Sequence, residues 1–340
     1  MKRVYLHIGH PKTATSLMQT YLFNKHSQIN NLGKPGKKNL DYIRLLMTEY
    51  NEEAFERKVN KSNLIPSEFI FSEIKPNMIS DEGFLTPFPR NLDNLLHLTK
   101  MARVFNQIED RNCALRVIIT IRKQSELILS QYSKGINHFI KVNDEWKNFN
   151  NLIKFYSSNK KAEHKQLGFY ESFKHYRTYK HLVSLFGEKN IKVLVYEKFD
   201  QKPEDFITEL SEFLGVDDKE SINLIQGIRD NVTPRTNNKE YIVKNPYYFG
   251  QESSLVSGIL GQILKPLDLI KNFHHKTLTL KKKIGSLSLK QRLNRFNQRK
   301  MDQYVSLSKE ELRNIKDYYG NDNMKIDEKL SLNLEKYGYF

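Results

Sequence analysis

The sequence of 340 residues contains a single cysteine, Cys113. One cysteine cannot form an intrachain disulfide, and it also excludes a cysteine-rich metal site. Long apolar runs are missing as well, since no stretch approaches the roughly 18 residues of a membrane-spanning helix. The short run after Lys2 and Arg3 is broken by His7 and Gly9, so it does not form a signal peptide. These absences predict a cytoplasmic protein.

The composition indicates a globular chain with a large core. Charged residues make up 28% of the sequence and hydrophobic residues 39%, a balance typical of folded rather than disordered proteins. A chain of this length folds as one large α/β domain or as two smaller ones. We interpret residues 1–340 as a single domain, in which residues 301–340 form a C-terminal helical tail.

Acidic residues are absent from one long segment. Residues 271–300 contain ten lysines and arginines and no aspartate or glutamate. They account for most of the net charge of +16, because the rest of the chain carries 45 basic and 39 acidic residues. The stretch before this segment has apolar residues on one helical face. These are Leu255, Val256, Ile259, Leu260, Ile263, Leu264, Leu267 and Ile270. We therefore interpret residues 250–300 as an amphipathic and basic insertion.

Three interpretations of this insertion stay open. An apolar helix beside a polybasic run (here 255–300) is typical of a peripheral anchor on anionic lipid, which would place the protein at the inner face of the membrane. A lid helix whose basic residues face an acidic glycan has the same pattern, and so does a solvated charged surface. Nucleic acid is not an expected partner, because only Phe273 and Phe296 add aromatic rings and no nucleic-acid motif occurs.

Short apolar strands alternate with helical patterns along residues 1–216, which predicts a parallel, doubly wound sheet. The fold class is therefore α/β, a three-layer parallel sheet with helices on both faces. The predicted strands are 3–8, 68–72, 116–121 and 191–196. The predicted helices are 15–28, one near 50–60, 91–109, one from 125, 170–186 and 204–214. Residues 140–168 are polar and irregular.

The first strand leads into the most informative turn of the chain, Gly9-His-Pro-Lys12-Thr-Ala-Thr15-Ser16. A strand, a tight turn and a helix start place backbone N–H groups and the positive end of the helix dipole at one point. Lys12 adds a full charge, and Thr15 and Ser16 add hydroxyl donors. The pattern predicts a phosphate site at the carboxyl end of the strand. The alternative is an ordinary turn in which Lys12 is solvated and a hydroxyl caps the helix.

A second cation follows the strand 116–121. Arg122 lies at its end, and Ser130 lies two turns into the next helix. A guanidinium fork and a hydroxyl at this spacing can hold a second phosphate beside the first. The alternative is that Arg122 pairs with Glu126 at i+4 and that Ser130 is an ordinary helix residue.

Three motifs in this order resemble those of sulfotransferases that use 3′-phosphoadenosine 5′-phosphosulfate (PAPS). They are P-K-T-x-T-S at residues 11–16, Arg122 with Ser130, and Tyr196-Glu197 followed by Pro203 and Phe213-Leu-Gly-Val216. The first motif is not a Walker A loop, which needs G-x-x-x-x-G-K-[ST]. The segment from Tyr319 to Tyr339 is similar to the tail of bacterial carbohydrate-type members. The resemblance implies a P-loop-NTPase-like sulfotransferase fold.

The resemblance also implies the residues that bind the nucleotide. The loop residues would hold the 5′-phosphosulfate, Arg122 and Ser130 the 3′-phosphate, and Tyr196 the adenine. Arg235 lies where the family closes over the 3′-phosphate, although the R-K-G signature of the cytosolic enzymes is absent here. Ala14 replaces a glycine that is common in the loop. The loop residues are Gly9, Pro11, Lys12, Thr13, Ala14, Thr15 and Ser16.

The implied reaction is in-line transfer of a sulfuryl group from PAPS to an acceptor hydroxyl, which leaves 3′-phosphoadenosine 5′-phosphate (PAP) and needs no metal. Lys12 would neutralise the departing phosphate. Glu73 is the first candidate for the base, because Phe-Ile-Phe-Ser-Glu73 places a carboxylate after a predicted strand and resembles the S-S-E of bacterial members. His10 is the second candidate. Glu73 could instead be solvated or pair with Lys12. The expected acceptor is a carbohydrate or a glycolipid.

Two other classes of protein share some of these features. A P-loop-like kinase needs a magnesium-binding carboxylate, usually an aspartate at the end of a core strand. The strongest predicted strand ends in Arg122 instead. A non-enzymatic protein that binds membranes or polyanions would explain the basic segment, but it would leave Lys12 and the spacing to Arg122 without a role.

Overall fold

The structure is a computed structural model. It describes residues 2–33, 38–49, 51–61, 69–85, 94–107, 113–158, 170–228, 240–244 and 302–340. The predicted insertion 250–300 and Arg235 lie outside these ranges. Within them, no helix has both the length and the apolar character needed to cross a bilayer.

Five parallel strands form the central sheet, in the order β2-β3-β1-β4-β5. Because the strands are parallel, their carboxyl ends meet at one edge of the sheet. The strand β1 lies in the middle, so the turn that follows it is flanked by the turns after β3 and β4. The strands are β1 (Lys2–Gly9), β2 (Asn30–Gly33), β3 (Asn77–Ser80), β4 (Cys113–Ile121) and β5 (Ile191–Val195).

Helices cover both faces of the sheet, which confirms the predicted fold class. The helices are α1 (Thr15–Leu17), α2 (Lys38–Met47), α3 (Glu52–Lys61), α4 (Asn94–Asn106), α5 (Gln124–Val142), α6 (Phe149–Ser157), α7 (His175–Phe186), α8 (Tyr196–Gln201), α9 (Pro203–Leu214), α10 (Asp218–Ile225) and α11 (Lys309–Leu330).

Alternate residues of β1 enter two separate hydrophobic clusters. Val4 and Leu6 pack in a cluster with α2, α3, α4, α7 and the C-terminal segment. Tyr5 packs on the opposite face with α1, α9 and α10. This alternation follows from the period of two in a strand, and burial on both faces is typical of parallel sheets.

The predicted strand 68–72 is wrong. Residues 69–72 form no strand, and β3 begins at Asn77. The side chain of Asn77 accepts a hydrogen bond from Ser72 N (2.7 Å) and donates to Ser72 O (2.9 Å). The segment before β3 is therefore bound to a side chain rather than to the sheet.

The helix predicted over 15–28 is too long. The helix α1 continues into a π-helical turn that ends at Phe23. The helix α2 lies in a stretch for which no helix was predicted. In contrast, α9 agrees with the prediction, with Pro203 in its first turn and Gly215 in a left-handed C-cap.

A separate pair of antiparallel strands brackets the insertion. The strands β6 (Tyr241–Lys244) and β7 (Asp302–Val305) pair so that Lys244 is opposite Asp302. The chain therefore leaves this ladder after residue 244 and returns to it next to the point of departure. The ladder packs with α5, α6 and α11 in a third hydrophobic cluster.

Candidate nucleotide site

The turn after β1 has an unusual backbone. Gly9 has φ +80°, and a Cβ added there would lie 2.9 Å from the Cβ of Glu82. Lys12 (φ 70°) and Ala14 (φ 61°) are also left-handed. Each such non-glycine residue costs roughly 1–2 kcal/mol. The left-handed Ala14 explains why glycine is common at this position in the family that the motif resembles.

Hydrogen bonds to the backbone of His10 hold this turn in place. The backbone N of His10 donates to Thr120 O of β4 (2.9 Å). The hydroxyls of Thr13 (2.5 Å) and Thr15 (3.3 Å) both donate to His10 O. The turn is therefore held by its own side chains and by the neighbouring strand.

Arg122 lies directly after β4 and reaches back to the same turn. Its Nη1 donates to Lys12 O (2.7 Å), and its guanidinium carbon lies 4.4 Å from the centroid of the Tyr196 ring. Its Nη2 lies 3.7 Å from a carboxylate oxygen of Glu126, so the alternative i+4 ion pair is also present. The residue is only 7% exposed, and its Nε is buried without a hydrogen-bond partner. The Arg122 side chain therefore connects the turn after β4 with the turn after β1.

A pocket of about 1060 Å³ opens beside the two turns. This volume matches the upper end of small-molecule sites. Most of the predicted nucleotide-binding residues share it, and its cations come from the turns after β1 and β4. The predicted residues in its lining are Pro11, Lys12, Ala14, Thr15, Ser16, Arg122, Ser130 and Tyr196.

Three predicted residues of the turn after β1 do not line the pocket. Gly9 is not part of the lining, and it gives the turn a residue with φ +80°. Thr13 is fully buried and bonds the turn itself. His10 is also buried, with its ring 5.3 Å from that of His175. Burial, and secondarily the nearby His175, lower the pKa of His10 well below its usual value. Both ring nitrogens of His10 are buried and the residue is not part of the pocket lining, and its role as second candidate base stays a prediction.

Glu73 lies at the opposite edge of the sheet. Its side chain is 81% exposed and pairs with Lys2 (3.8 Å), the first residue of β1. The turn that bears Lys12 follows the other end of β1, roughly 23 Å away at about 3.3 Å per residue. The prediction that Glu73 follows a strand at the site is therefore wrong, because that strand does not exist and β3 comes later.

Five carboxylates line the pocket, and the one that lies against Gly9 of the turn after β1 is Glu82, which the sequence analysis missed. It follows β3 in a 3₁₀ turn (Glu82–Phe84) and its Oε2 is buried without a hydrogen-bond partner. The turn is fixed, since Asp81 N donates to His7 O (2.9 Å) and the Asp81 carboxylate accepts from Gly83 N (2.8 Å). Arg44 Nε lies 3.0 Å from the same carboxylate. The available signal was Met78-Ile-Ser-Asp-Glu82, a short apolar run that ends in two acids.

No family model and no curated protein matches the chain. Solved structures with some likeness include a sulfotransferase from Alicyclobacillus acidocaldarius, which is 15% identical over 69% of this chain and 86% of that one, with a TM-score of 0.38. The sulfotransferase domain of the Synechococcus PCC 7002 olefin synthase is 14% identical over 67% and 79%, with a TM-score of 0.36. A mouse sulfotransferase complexed with PAP is 13% identical over 66% and 63%, with a TM-score of 0.30.

Likenesses this distant do not establish an activity. The fold and the pocket define an α/β protein with a pocket at the carboxyl ends of its parallel strands, lined in part by Lys12 and Arg122. The particular reaction has to follow from the residues of that site.

Proposed function

We propose that this protein is a PAPS-dependent sulfotransferase. The observation that carries the proposal is the contact between the two phosphate-binding motifs. Arg122 Nη1 donates to Lys12 O (2.7 Å), and both residues line one pocket with Ser130. Two separated phosphates on one nucleotide need two cationic sites with a fixed geometry between them.

The residues present fit such a nucleotide. Lys12, Thr15 and Ser16 would hold the 5′ end, where PAPS supplies the sulfuryl group and a bisphosphate leaving group. Arg122 and Ser130 would hold the 3′-phosphate. The Nε of Arg122 is buried without a hydrogen-bond partner, so the guanidinium keeps a donor that no protein group uses. Glu126 opposes it, so binding of a phosphate would have to separate the Arg122–Glu126 pair.

Glu82 is the residue that we assign as general base. It lies in the pocket with Lys12, at the next strand of the same sheet edge. Its carboxylate would take the proton of the acceptor hydroxyl while that oxygen bonds to sulfur. Lys12 would stabilise the negative charge on the oxygen that leaves. Positioning and charge stabilisation supply most of the rate in such transfers.

The acceptor that we propose is a hydroxyl of a carbohydrate or a glycolipid. The support comes from β6, because Tyr241 at its start lines the pocket and donates to Glu126 (2.6 Å). The ladder of β6 and β7, which flanks the basic insertion in the sequence, therefore has one end at the pocket. Deleting residues 255–300 should reduce co-sedimentation with anionic liposomes. Unchanged co-sedimentation would contradict a membrane role for this segment.

A kinase is the second candidate, and one observation favours it. Asp81 follows β3, next to the turn that bears Lys12, where a kinase would carry a magnesium-binding aspartate. However, Asp81 is fully buried and its carboxylate is bound by Gly83 N and Arg44. Magnesium dependence of nucleotide binding separates the two candidates.

The test is a calorimetric titration of PAP without magnesium. The wild type should bind with micromolar affinity. Lys12→Ala and Arg122→Ala should each weaken binding at least tenfold, which is about 1.4 kcal/mol. Arg313→Ala is the control, because Arg313 is an exposed arginine on α11 (82%) that does not line the pocket. A folded wild type that binds ATP with magnesium but not PAP would contradict the proposal and favour the kinase.

A further inference from the structure

The peptide bond between Arg122 and Lys123 is held on both of its polar groups by side chains. The carbonyl of Arg122 accepts from His175 Nε2 (3.0 Å), and the N–H of Lys123 donates to Glu197 Oε1 (2.9 Å). The Arg122 side chain extends from this backbone, so holding the peptide fixes the point from which the guanidinium reaches Lys12 O and Tyr196.

Tyr339, near the C-terminal end of the sequence, contacts both of these side chains. Its hydroxyl donates to Glu197 Oε2 (2.6 Å), and its ring centroid lies 6.1 Å from that of His175. Its carbonyl accepts from Asn323 Nδ2 (3.1 Å).

Asn323 extends the same connection to the next residue of the turn. Its Oδ1 accepts from Gln124 Nε2 (2.8 Å), and its Nδ2 donates to Gln124 Oε1 (3.1 Å). Three consecutive residues, Arg122 to Gln124, are thus linked to Tyr339 by different side chains.

All of this network except Glu197 is almost fully excluded from solvent. Tyr339 and His175 are 1% exposed, Gln124 is 2% exposed and Asn323 is fully buried. Burial raises the pKa of the Tyr339 phenol well above its usual value, so the hydroxyl stays a donor. Hydrogen bonds in such surroundings are strong, and losing one partner is costly.

We infer that Tyr339 is a positioning residue for the second phosphate site, acting on Arg122 through Glu197 and His175. The inference rests on the proposed function only for the identity of the ligand. A purely structural role would lower stability and would weaken every nucleotide equally. A positioning role makes Tyr339 matter most for the phosphate that Arg122 contacts.

The test compares Tyr339→Phe with Tyr319→Phe. Tyr319 is also a buried tyrosine of the C-terminal segment, and its hydroxyl bonds Tyr156 and Tyr170 O (3.2 Å each) without lining the pocket. Each variant is titrated with PAP and with adenosine 5′-phosphate, which lacks the 3′-phosphate. Tyr339→Phe should lower the affinity for PAP about tenfold, a loss of the size expected when a hydrogen bond to a charged group is removed. It should lower the affinity for adenosine 5′-phosphate less than about twofold. Tyr319→Phe should leave the ratio of the two affinities unchanged.

Amide hydrogen exchange provides a second readout that needs no nucleotide. The N–H of Lys123 should exchange about tenfold faster in Tyr339→Phe, because Glu197, which accepts its hydrogen bond, is no longer held by the Tyr339 hydroxyl. In Tyr319→Phe it should exchange at the wild-type rate. An unchanged Lys123 rate, or an equal loss of both nucleotides, would overturn the inference. A wild type that binds neither nucleotide would refute the proposed function, while the exchange rate would still decide the role of Tyr339.

Discussion

The two turns that bring cations into the pocket are held in different ways. The turn that bears Lys12 is held locally, by the hydroxyls of Thr13 and Thr15 and by the adjacent strand. The turn that bears Arg122 is held by side chains far along the chain, including Glu197 and Tyr339. The first turn carries its strain in its own backbone, and the second depends on the packing of the C-terminal segment.

Apart from the hydrogen bond from Arg122 Nη1 to Lys12 O, the two proposed phosphate sites therefore have separate supports and should respond to different substitutions. Changes in the first turn should act through backbone conformation and local hydrogen bonds. Changes around the second should act at a distance, through the contacts of the Arg122–Lys123 peptide. Four substitutions test this division.

The largest effect is expected at Glu82, which lies against Gly9 of the first turn and which we propose as the proton acceptor. Glu82→Gln should slow transfer by roughly 10²–10⁴-fold, the usual contribution of a general base. PAP binding should change little. The rate is measured as PAP released from PAPS. Glu73→Gln is the control and should retain the wild-type rate, because Glu73 lies at the other edge of the sheet. Full activity in Glu82→Gln would remove it as the base.

The next largest effect is expected for Arg122→Lys. A lysine keeps the charge but loses the planar fork that reaches Lys12 O and stacks on Tyr196. PAP affinity should fall about 10–30-fold, or roughly 1.4–2 kcal/mol. Arg116→Lys, on the same strand and outside the pocket lining, should bind PAP like the wild type. If calorimetry gave equal PAP affinities for Arg122→Lys and the wild type, a positive charge alone would be sufficient at the second turn.

Ala14→Gly tests whether the first turn is strained at Ala14. Ala14 has φ 61°, and glycine adopts this conformation without the steric cost of a Cβ. The free energy of unfolding should rise by about 1 kcal/mol. Ala102→Gly within α4 is the matched control and should lower it by a similar or larger amount. Urea denaturation measures both. A loss of stability in Ala14→Gly would mean that the turn is not strained there.

The smallest effect is expected for Glu126→Gln. The carboxylate lies 3.7 Å from Arg122 Nη2 and competes with an incoming phosphate. The amide retains an acceptor for the Tyr241 hydroxyl. Ion pairs of this exposure contribute up to about 1 kcal/mol, so PAP should bind about two- to fivefold more tightly. Weaker binding in the same titration would indicate that Glu126 instead holds Arg122 in its binding position.

The elements that sequence analysis predicted are those with local signals. The strands β1 and β4 are rich in apolar residues, and α9 has both of its ends marked by Pro203 and Gly215. The turn with Lys12 follows directly from such a strand. Arg122 was found for the same reason.

What sequence analysis missed depends on contacts between distant residues. The strand β3 has only four residues and begins with a polar Asn77, whereas the aromatic run before it is more apolar. That error directed the choice of candidate base to Glu73 and away from Glu82. The network around Tyr339 joins residues more than 140 positions apart, and no local pattern encodes it.

The most direct test of the account is a crystal structure of the protein with PAP. The 5′-phosphate should lie at the turn of Lys12, Thr15 and Ser16, and the 3′-phosphate should contact Arg122 and Ser130. The carboxylate of Glu126 should be separated from the Arg122 guanidinium. Glu82 should face the open side of the 5′-phosphate. A nucleotide bound in the reverse orientation, or elsewhere on the protein with the Arg122–Glu126 pair intact, would contradict the account.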